Sequence, residues 1–334
     1  MLCLAVLCAV PLGGSARAAN NFQTSAKSAI VMEKTSGRVL WAKNADEQLP
    51  MASTTKIVTA LTVIQNTPDL DKVVEVPNEA VGIEGSSVYL RAGEHLTIRE
   101  LLLGLMLRSG NDCAVALALT VSGSVENFAT MMNATARELG CTNSNFANPH
   151  GLPNDSHYTT AKDLATITCK ALQNPEFAEI VSTKSTKINN EGYDYMRALQ
   201  NKNKLLFSYE GADGVKTGYT KKAGRCFVGS ATRNGMQVVV AVLNCGPMFE
   251  DTASLLDAAF ASYELKRVIP ENKLCGAVYK HGKPTYYYCE TPFDYPLKVG
   301  EKPTTKVTVE EDVQKIEVSL NGQIIFNSTL SAAQ

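Results

Sequence analysis

Residues 214–243, GVKTGYTKKAGRCFVGSATRNGMQVVVAVL, decide the fold. Gly214–Thr217, Cys226–Ala231 and Met236–Leu243 read as strands, and Asn234-Gly235 between the last two offers the positive-φ residues of a tight hairpin. A second hairpin opens the domain: Ala29–Met32 and Val39–Ala42, joined at Thr35-Ser36-Gly37. Helical patterns fill the interval. After Ser53-Thr54-Thr55-Lys56 come Ile57, Val58, Leu61 and Ile64 at helical spacing. Thr97 and Glu100 form a capping box ahead of Leu101, Leu102, Leu105 and Met106. Beyond Ser109-Gly110-Asn111 lies an apolar helix, Ala114 to Leu119. Residues 124–139 and 160–172 read as further helices, the second capped by Thr160 with Asp163 three residues on, and Thr252–Tyr263 as a last one.

Strands at both ends with helices between them predict an α/β (α+β) domain over residues 25–266: an antiparallel sheet covered by helices, with a helical insertion. Past Pro270 the runs Val278–Tyr279, Thr285–Tyr288, Lys306–Val309 and Ile316–Leu320, with turns at His281-Gly282 and Asn321-Gly322, predict a small all-β domain over 270–334.

Composition narrows the function. A chain of 334 residues, 45% hydrophobic and 19% charged, has room for about two packed domains. Its 32 basic and 33 acidic residues balance, whereas a nucleic-acid binder carries a basic excess. Four histidines without an HExxH spacing, and no CxxC pair, argue against a metal enzyme, and no cofactor is expected.

Residues 2–12, LCLAVLCAVPL, form an apolar run too short to span a bilayer, followed by Ala16-Arg17-Ala18. This reads as a signal peptide, residues 1–18, cleaved after Ala18, so the protein is expected to be exported. No lysine or arginine precedes the run, which suggests a start placed too far downstream; a lipid anchor at Cys8 is disfavoured because Ala5-Val6-Leu7 is the wrong prelude. Seven cysteines remain: 113, 141, 169, 226, 245, 275 and 289. Cys113 and Cys169 sit in apolar helical patterns and read as core residues. Cys226 with Cys245, or Cys275 with Cys289, are open alternatives for a disulfide.

Three short motifs carry chemistry. Ser-x-x-Lys, at Ser53–Lys56, is expected about once by chance, and Ser-x-Asn, at Ser109 and again at Ser319, is as cheap. Lys-Thr-Gly, at Lys216-Thr217-Gly218, is expected about 0.1 times. Their order, at a helix start, an interhelical junction and a strand, is what carries weight. A serine hydroxyl needs a base, and a lysine three residues along a helix shares its face. That lysine must be neutral, which desolvation and a second cation can achieve; Lys216 is the expected cation, and the helix N-terminus acts in the same sense. Ser109 can relay a proton to a leaving amine and Asn111 can hold a substrate amide. Gly218 is expected to clear space for a ligand, and the N–H groups of Ser53 and Tyr219 to hold an oxyanion.

These motifs, with LPMASTTKIVTAL (49–61), LLLGLMLRSGNDCAVALA (101–118), NPHGLP (148–153) and GVKTGYTKKAG (214–224), resemble the secreted D-alanyl-D-alanine carboxypeptidases, the low-molecular-weight penicillin-binding proteins. The resemblance covers about Ser28 to Tyr263. It implies a transpeptidase or serine β-lactamase-like domain followed by a small β domain, and a hydrolase in peptidoglycan biosynthesis and cell shape. Such an enzyme removes the terminal D-alanine of stem pentapeptides through an acyl-serine, and β-lactams acylate the same serine. Carried over, Ser53 is the nucleophile, Lys56 its base and Ser109 a proton relay. Asn111 binds the substrate amide, Lys216 and Thr217 dock the carboxylate, and Gly218 and Tyr219 line the site.

Three departures matter. Met248 stands before Phe249-Glu250-Asp251 where many members have an arginine for the carboxylate. Tyr219 stands where some have histidine. The chain closes on Ser331-Ala332-Ala333-Gln334 without the amphipathic helix that often anchors members to the membrane, so membrane association is not expected. His150 reads as structural and His157 as a loop residue ahead of a helix cap. Other readings are a serine β-lactamase, for which Glu176, Glu179 or Glu191 would have to serve deacylation, and a penicillin-binding sensor or wall-binding module with little turnover. The expected location is extracytoplasmic, at the cell wall or the outer face of the cytoplasmic membrane, with no nucleic-acid or metal partner.

Overall fold

A computed structural model describes residues 22–332; the expected signal peptide, with Cys8, lies outside the described residues. The chain begins with strands β1 (Ser28–Glu33) and β2 (Val39–Lys43). A 3₁₀ turn, Ala52–Thr55, opens helix α1 (Lys56–Asn66). Short strands β3 (Val73–Glu75) and β4 (His95–Thr97) precede α2 (Ile98–Leu107), α3 (Asn111–Ser122) and α4 (Val125–Glu138). Next come α5 (Ala161–Ala171), α6 (Pro175–Ser182), the small pair β5 (Ser185–Ile188) and β6 (Arg197–Gln200), and one turn of helix, α7 (Leu205–Ser208). Strands β7 (Ala212–Thr220), β8 (Gly224–Arg233) and β9 (Met236–Leu243) lead to α8 (Met248–Ser262).

The five longer strands form one antiparallel sheet in the order β2-β1-β9-β8-β7. The two hairpins read from sequence are thus its two flanks, stitched together by β1 against β9. Alternate residues face opposite ways, and both faces are buried. Ile30, Met32, Val239, Ala241 and Leu243 join the core shared with α1–α6. Ala29, Val31, Val238, Val240 and Val242 pack against Leu255, Leu256 and Ala259 of α8. This explains the unbroken valine run of β9, which an alternating strand with one wet face would not show.

The caps form where the sequence places them, with one difference. Thr97 and Glu100 make a reciprocal box (Glu100 N to Thr97 Oγ1 3.1 Å, Thr97 N to Glu100 Oε2 2.8 Å). Thr160 accepts from Asp163 N, but the Asp163 carboxylate turns away to Asn143 N and Ser144 Oγ, so only half a box exists. Helix α3 starts at Asn111 rather than Ala114, and α8 at Met248 rather than Thr252. Glu250 and Asp251 in the first turn of α8 favour that earlier start. The pairs β3–β4 and β5–β6 interrupt a stretch read as helical; each is three or four residues long and carries no tight-turn signal.

Strand β10 (Tyr263–Ile269) continues from α8, and β11 (Lys273–Lys280), β12 (Lys283–Cys289), β13 (Phe293–Lys298), β14 (Thr304–Val309), β15 (Gln314–Leu320), β16 (Gln323–Thr329) and β17 (Ser331–Ala332) complete an all-β tail. Its core gathers Ile269, Cys289, Ile316, Val318 and Leu330. Arg38, beyond β1, reaches this region: it forms a bidentate pair with Glu301 (2.6 and 2.8 Å) and lies over the rings of Tyr263 and Tyr295.

Neither candidate disulfide forms; all seven cysteines among the described residues are free thiols. Cys226 belongs to the core on one face of the sheet and Cys245 to the core on the other, so the sheet separates them. In the tail Cys289 faces Lys273 across the ladder, and Cys275 lies two residues further along, in the bulge between Leu274 and Gly276. Cys113 and Cys169 are core residues, as read.

Candidate active site

The site is built around the turn that carries Ser53. Ala52 adopts φ +49, uncommon for a residue with a side chain, and the turn is closed by its own hydroxyls. Thr54 Oγ1 donates to Met51 O (2.7 Å) and Thr55 Oγ1 to Ala52 O (2.8 Å). His157 braces it from behind. Ala147 N donates to His157 Nδ1 (3.0 Å), so the ring proton sits on Nε2 and is given to Thr55 Oγ1 (2.8 Å). Burial pushes this imidazole down to about 4 and keeps it neutral. His157 is a loop residue, as read, but it is buried and braces the turn.

Lys56, one turn into the helix, is fully buried. Its Nζ lies 3.1 Å from Ser53 Oγ, 2.7 Å from Asn111 Oδ1 and 2.7 Å from the carbonyl of His150. Two of these partners can only accept. The carbonyl has no proton, and the Asn111 amide is oriented by its Nδ2, which donates to Glu84 O. A neutral amine has two N–H bonds and one lone pair. The two fixed acceptors consume the N–H bonds, and the lone pair is left for the Ser53 hydroxyl. Desolvation pushes Lys56 down to about 7, so the neutral form is accessible near neutrality.

Two like charges act here: Lys216, coupled to Lys56 as expected, and Lys202, which was not read. Lys202, in the segment after β6, depresses Lys56. Lys216 is itself almost completely buried on β7, its Nζ donating to Thr217 O (2.8 Å), and burial, with Lys56 and Lys202 adding to it, holds it well below an ordinary lysine. Lys202 is half-exposed, and its Nζ donates to Ser86 Oγ (3.0 Å). Its mount is firm: Lys202 N bonds Leu107 O, and the flanking Asn201 and Asn203 side chains bond Thr183 O and Gly214 O. No short motif marks it, which is why the sequence reading missed it.

Ser109 turns the chain between α2 and α3 at φ +64 and is held by Gly110 N to Gly104 O (3.1 Å). The facing loop, residues 84–90, is fastened by Asp112, whose buried carboxylate accepts from Val88 N, Leu90 N, Ser87 Oγ and Cys113 N. Asp112 was also overlooked, since an acid in a helix's first turn looks like an ordinary dipole partner.

Gly218 lines the cleft and has a second role besides the one read. A Cβ there would lie 2.9 Å from Ser53 N and 3.1 Å from Met51 O, so the missing side chain lets β7 close on the Ser53 turn itself. Gly151, at φ +87, does the same from the other side, where a Cβ would meet Ala52 O at 2.0 Å. The His150-Gly151 loop thus delivers a carbonyl to Lys56, while the His150 imidazole is pushed down to about 3 by burial and Lys56.

A cleft of about 320 Å³ opens over these elements, lined by Ser53, Ser86, Ser109, Lys202, Thr217, Gly218, Tyr219, Met248 and Phe249. Lys56, Asn111 and Lys216 stand behind its wall. A roomier hollow of about 540 Å³ between β8 and α8 contains no nucleophile paired with a base, so chemistry, not size, selects the cleft. No carboxylate lines it among the described residues. Glu176 is bound to Arg99 and Glu191 to His95, so neither is placed as a deacylating base for a β-lactamase.

A buried serine–lysine pair at a helix start, faced by a serine loop and an edge strand, defines an acyl-transferring serine enzyme of the transpeptidase type. The sequence profile of D-alanyl-D-alanine carboxypeptidases matches residues 15–246. The chain is 36% identical to the D-alanyl-D-alanine carboxypeptidase DacF of Bacillus subtilis over 287 residues (83% of this chain, 73% of the relative). It is 37% identical to DacB2 of Mycobacterium tuberculosis over 240 residues (70% and 81%). Its structure is similar to penicillin binding protein 5 of Haemophilus influenzae, with TM-score 0.79 and 26% identity over 93% of this chain and 97% of that one. The chain belongs to the D-alanyl-D-alanine carboxypeptidase family. It is a penicillin-binding serine peptidase of the cell wall that removes a terminal D-alanine through an acyl-serine.

Proposed function

We propose that Ser53 is the acylated nucleophile, Lys56 the base that takes its proton, and Ser109 the hydroxyl that passes a proton to the leaving D-alanine. The observation that supports this reading is the assignment of the Lys56 lone pair to Ser53 by two acceptors that cannot donate. Asn111 holds the amine and shares in amide binding. The N–H groups of Ser53 and Tyr219 are the proposed oxyanion donors. Thr217 offers a hydroxyl to the substrate carboxylate, and an arriving carboxylate raises the depressed Lys216 and Lys202 amines, so binding and protonation are coupled. Met248 leaves this end of the cleft apolar and makes Lys202 the exposed cation on its lining.

The substrate is read as the stem pentapeptide of peptidoglycan with a D-Ala-D-Ala terminus, and the enzyme as exported by a cleaved signal peptide to act outside the cytoplasmic membrane, with a part in cell shape. The test is incubation of the purified protein with diacetyl-L-Lys-D-Ala-D-Ala. Free D-alanine from the wild type and none from Ser53→Ala supports the reading; equal release from both overturns it.

A further inference from the structure

The loop that runs on from Ser86 and the β5–β6 turn carry exposed aromatic side chains that the reaction does not use. Tyr89, Tyr193 and Tyr195 are 82%, 53% and 65% exposed, and Met196 is 50% exposed. The three phenol hydroxyls make no hydrogen bond to the described residues. Side chains of this size held in water are uncommon unless a partner covers them.

The framework beneath them is rigid. Arg91 lies 4.6 Å over the Tyr193 ring, bonds Asn190 Oδ1 (3.2 Å) and Glu191 O, and pairs with the buried Glu94. Arg197 grips the same Glu94 (2.9 Å) and reaches Tyr89 O. Asn189 N donates to Glu100 Oε1 (2.7 Å), and Tyr193 and Tyr195 lean on each other at 5.2 Å. The tip, Asn189-Asn190-Glu191-Gly192-Tyr193-Asp194-Tyr195, has the tyrosine, asparagine and glycine mixture of adaptable binding loops on a fixed base. Pre-organising three rings lowers the ordering cost of whatever they bind.

Continuity with the cleft identifies the occupant. Tyr89 is three residues from Ser86, which lines the cleft, so it stands within about 11 Å of it along the chain. An extended pentapeptide spans at most about 17 Å. A stem peptide whose end lies at Ser53 is therefore long enough for its other end, where it joins the sugar chain, to reach Tyr89 if it leaves the cleft past Ser86. Sugar rings offer apolar C–H faces for stacking and hydroxyl and acetamido edges for phenols. Arg91 and Arg197 share the buried Glu94, and Glu191 and Asp194 stand among the tyrosines, so two positive groups face three negative ones and the patch does not suit an anionic lipid or polymer.

We infer that this patch binds the N-acetylated amino-sugar chain to which the scissile peptide is attached, and that it favours polymeric over small substrates; this rests on the carboxypeptidase reading above. The test compares wild type with Tyr89→Ser/Tyr193→Ser/Tyr195→Ser on two substrates. On diacetyl-L-Lys-D-Ala-D-Ala the variant keeps its kcat/KM within about twofold, and on pentapeptide-bearing peptidoglycan it loses about tenfold, through KM. Peptide-free glycan strands co-sediment with wild type and with Tyr193→Phe/Tyr195→Phe, and not with the triple variant. Equal loss on both substrates, or undiminished use of the polymer, overturns the inference. So does a wild-type dimer that the triple variant dissolves, since the patch would then be covered by a second copy. Failure of wild type on the small substrate would instead strike at the carboxypeptidase reading.

Discussion

Nζ of Lys56 stands 3.1 Å from Oγ of Ser53 with its other two directions taken by the Asn111 side-chain oxygen and the His150 carbonyl. The three partners come from the 3₁₀ turn ahead of α1, the start of α3 and the loop before α5, so the amine is aimed by the tertiary fold. Removing the hydroxyl should leave the fold intact and stop acylation. Ser53→Ala is expected to lose D-alanine release by about 10⁴-fold or more and to give no covalent penicillin adduct by intact mass. A labelled mutant would assign the nucleophile elsewhere.

The pH profile should report the lysine. Since the neutral amine is the base and Lys56 titrates at about 7, kcat/KM is expected to rise about tenfold per pH unit below that value and to level above it. Lys202→Ala removes a like charge, which lets the Lys56 amine hold its proton longer, so the acid limb should move to higher pH. If Lys202→Ala leaves the limb in place, Lys202 does not tune the base.

The same depressed pKa affects stability. Unfolded, Lys56 holds its proton up to about 10.5; folded, it releases it near 7. Between these values the unfolded chain binds more protons, so this group's contribution becomes more favourable to folding as pH rises from 7 towards 10.5. Lys56→Met removes the buried amine. Its midpoint of thermal unfolding should exceed wild type at pH 7, with the gap narrowing by pH 9, while activity is abolished. A gap that widens with pH would contradict the buried neutral amine.

Two glycines test the closure of the turn. Gly151→Ala places a Cβ 2.0 Å from Ala52 O at φ +87, and should cost about 2–4 kcal/mol by urea denaturation along with activity. Gly37→Ala, at φ +66 with nothing within 4 Å, should cost only the backbone penalty of about 1 kcal/mol and leave turnover unchanged. Gly218→Ala should shift the Ser53 turn and lower kcat at least about tenfold. Wild-type kcat in Gly218→Ala would show that β7 can give way.

Asp112 fastens the loop that carries Ser86. Asp112→Asn replaces an acceptor by an amide facing several N–H donors, and should cost about 2–3 kcal/mol and raise KM, read by steady-state kinetics and thermal unfolding. An unchanged KM would mean the loop keeps its place without the carboxylate.

The local signals were legible because they depend on neighbours in sequence. The Thr97–Glu100 box, the Asn234-Gly235 turn and the Ser53–Lys56 spacing each involve residues no more than three apart, and each formed as read. The packing role of Gly218 was missed for the complementary reason: what its Cβ would strike, the Ser53 backbone, lies 165 positions away in the chain. Likewise the disulfide candidates were close in ladder register, and only the sheet's two-sidedness put Cys226 and Cys245 in separate cores.

From its residues alone this chain declared an antiparallel sheet with a helical insertion and a serine with a lysine one turn along a helix, because periodicity and turn chemistry act over short distances. What made that lysine a base was settled in three dimensions. Burial to zero exposure, a backbone carbonyl from residue 150 and a like charge from residue 202 are long-range properties. Electrostatics and desolvation depend on what surrounds an atom in space, and no spacing along the chain encodes that.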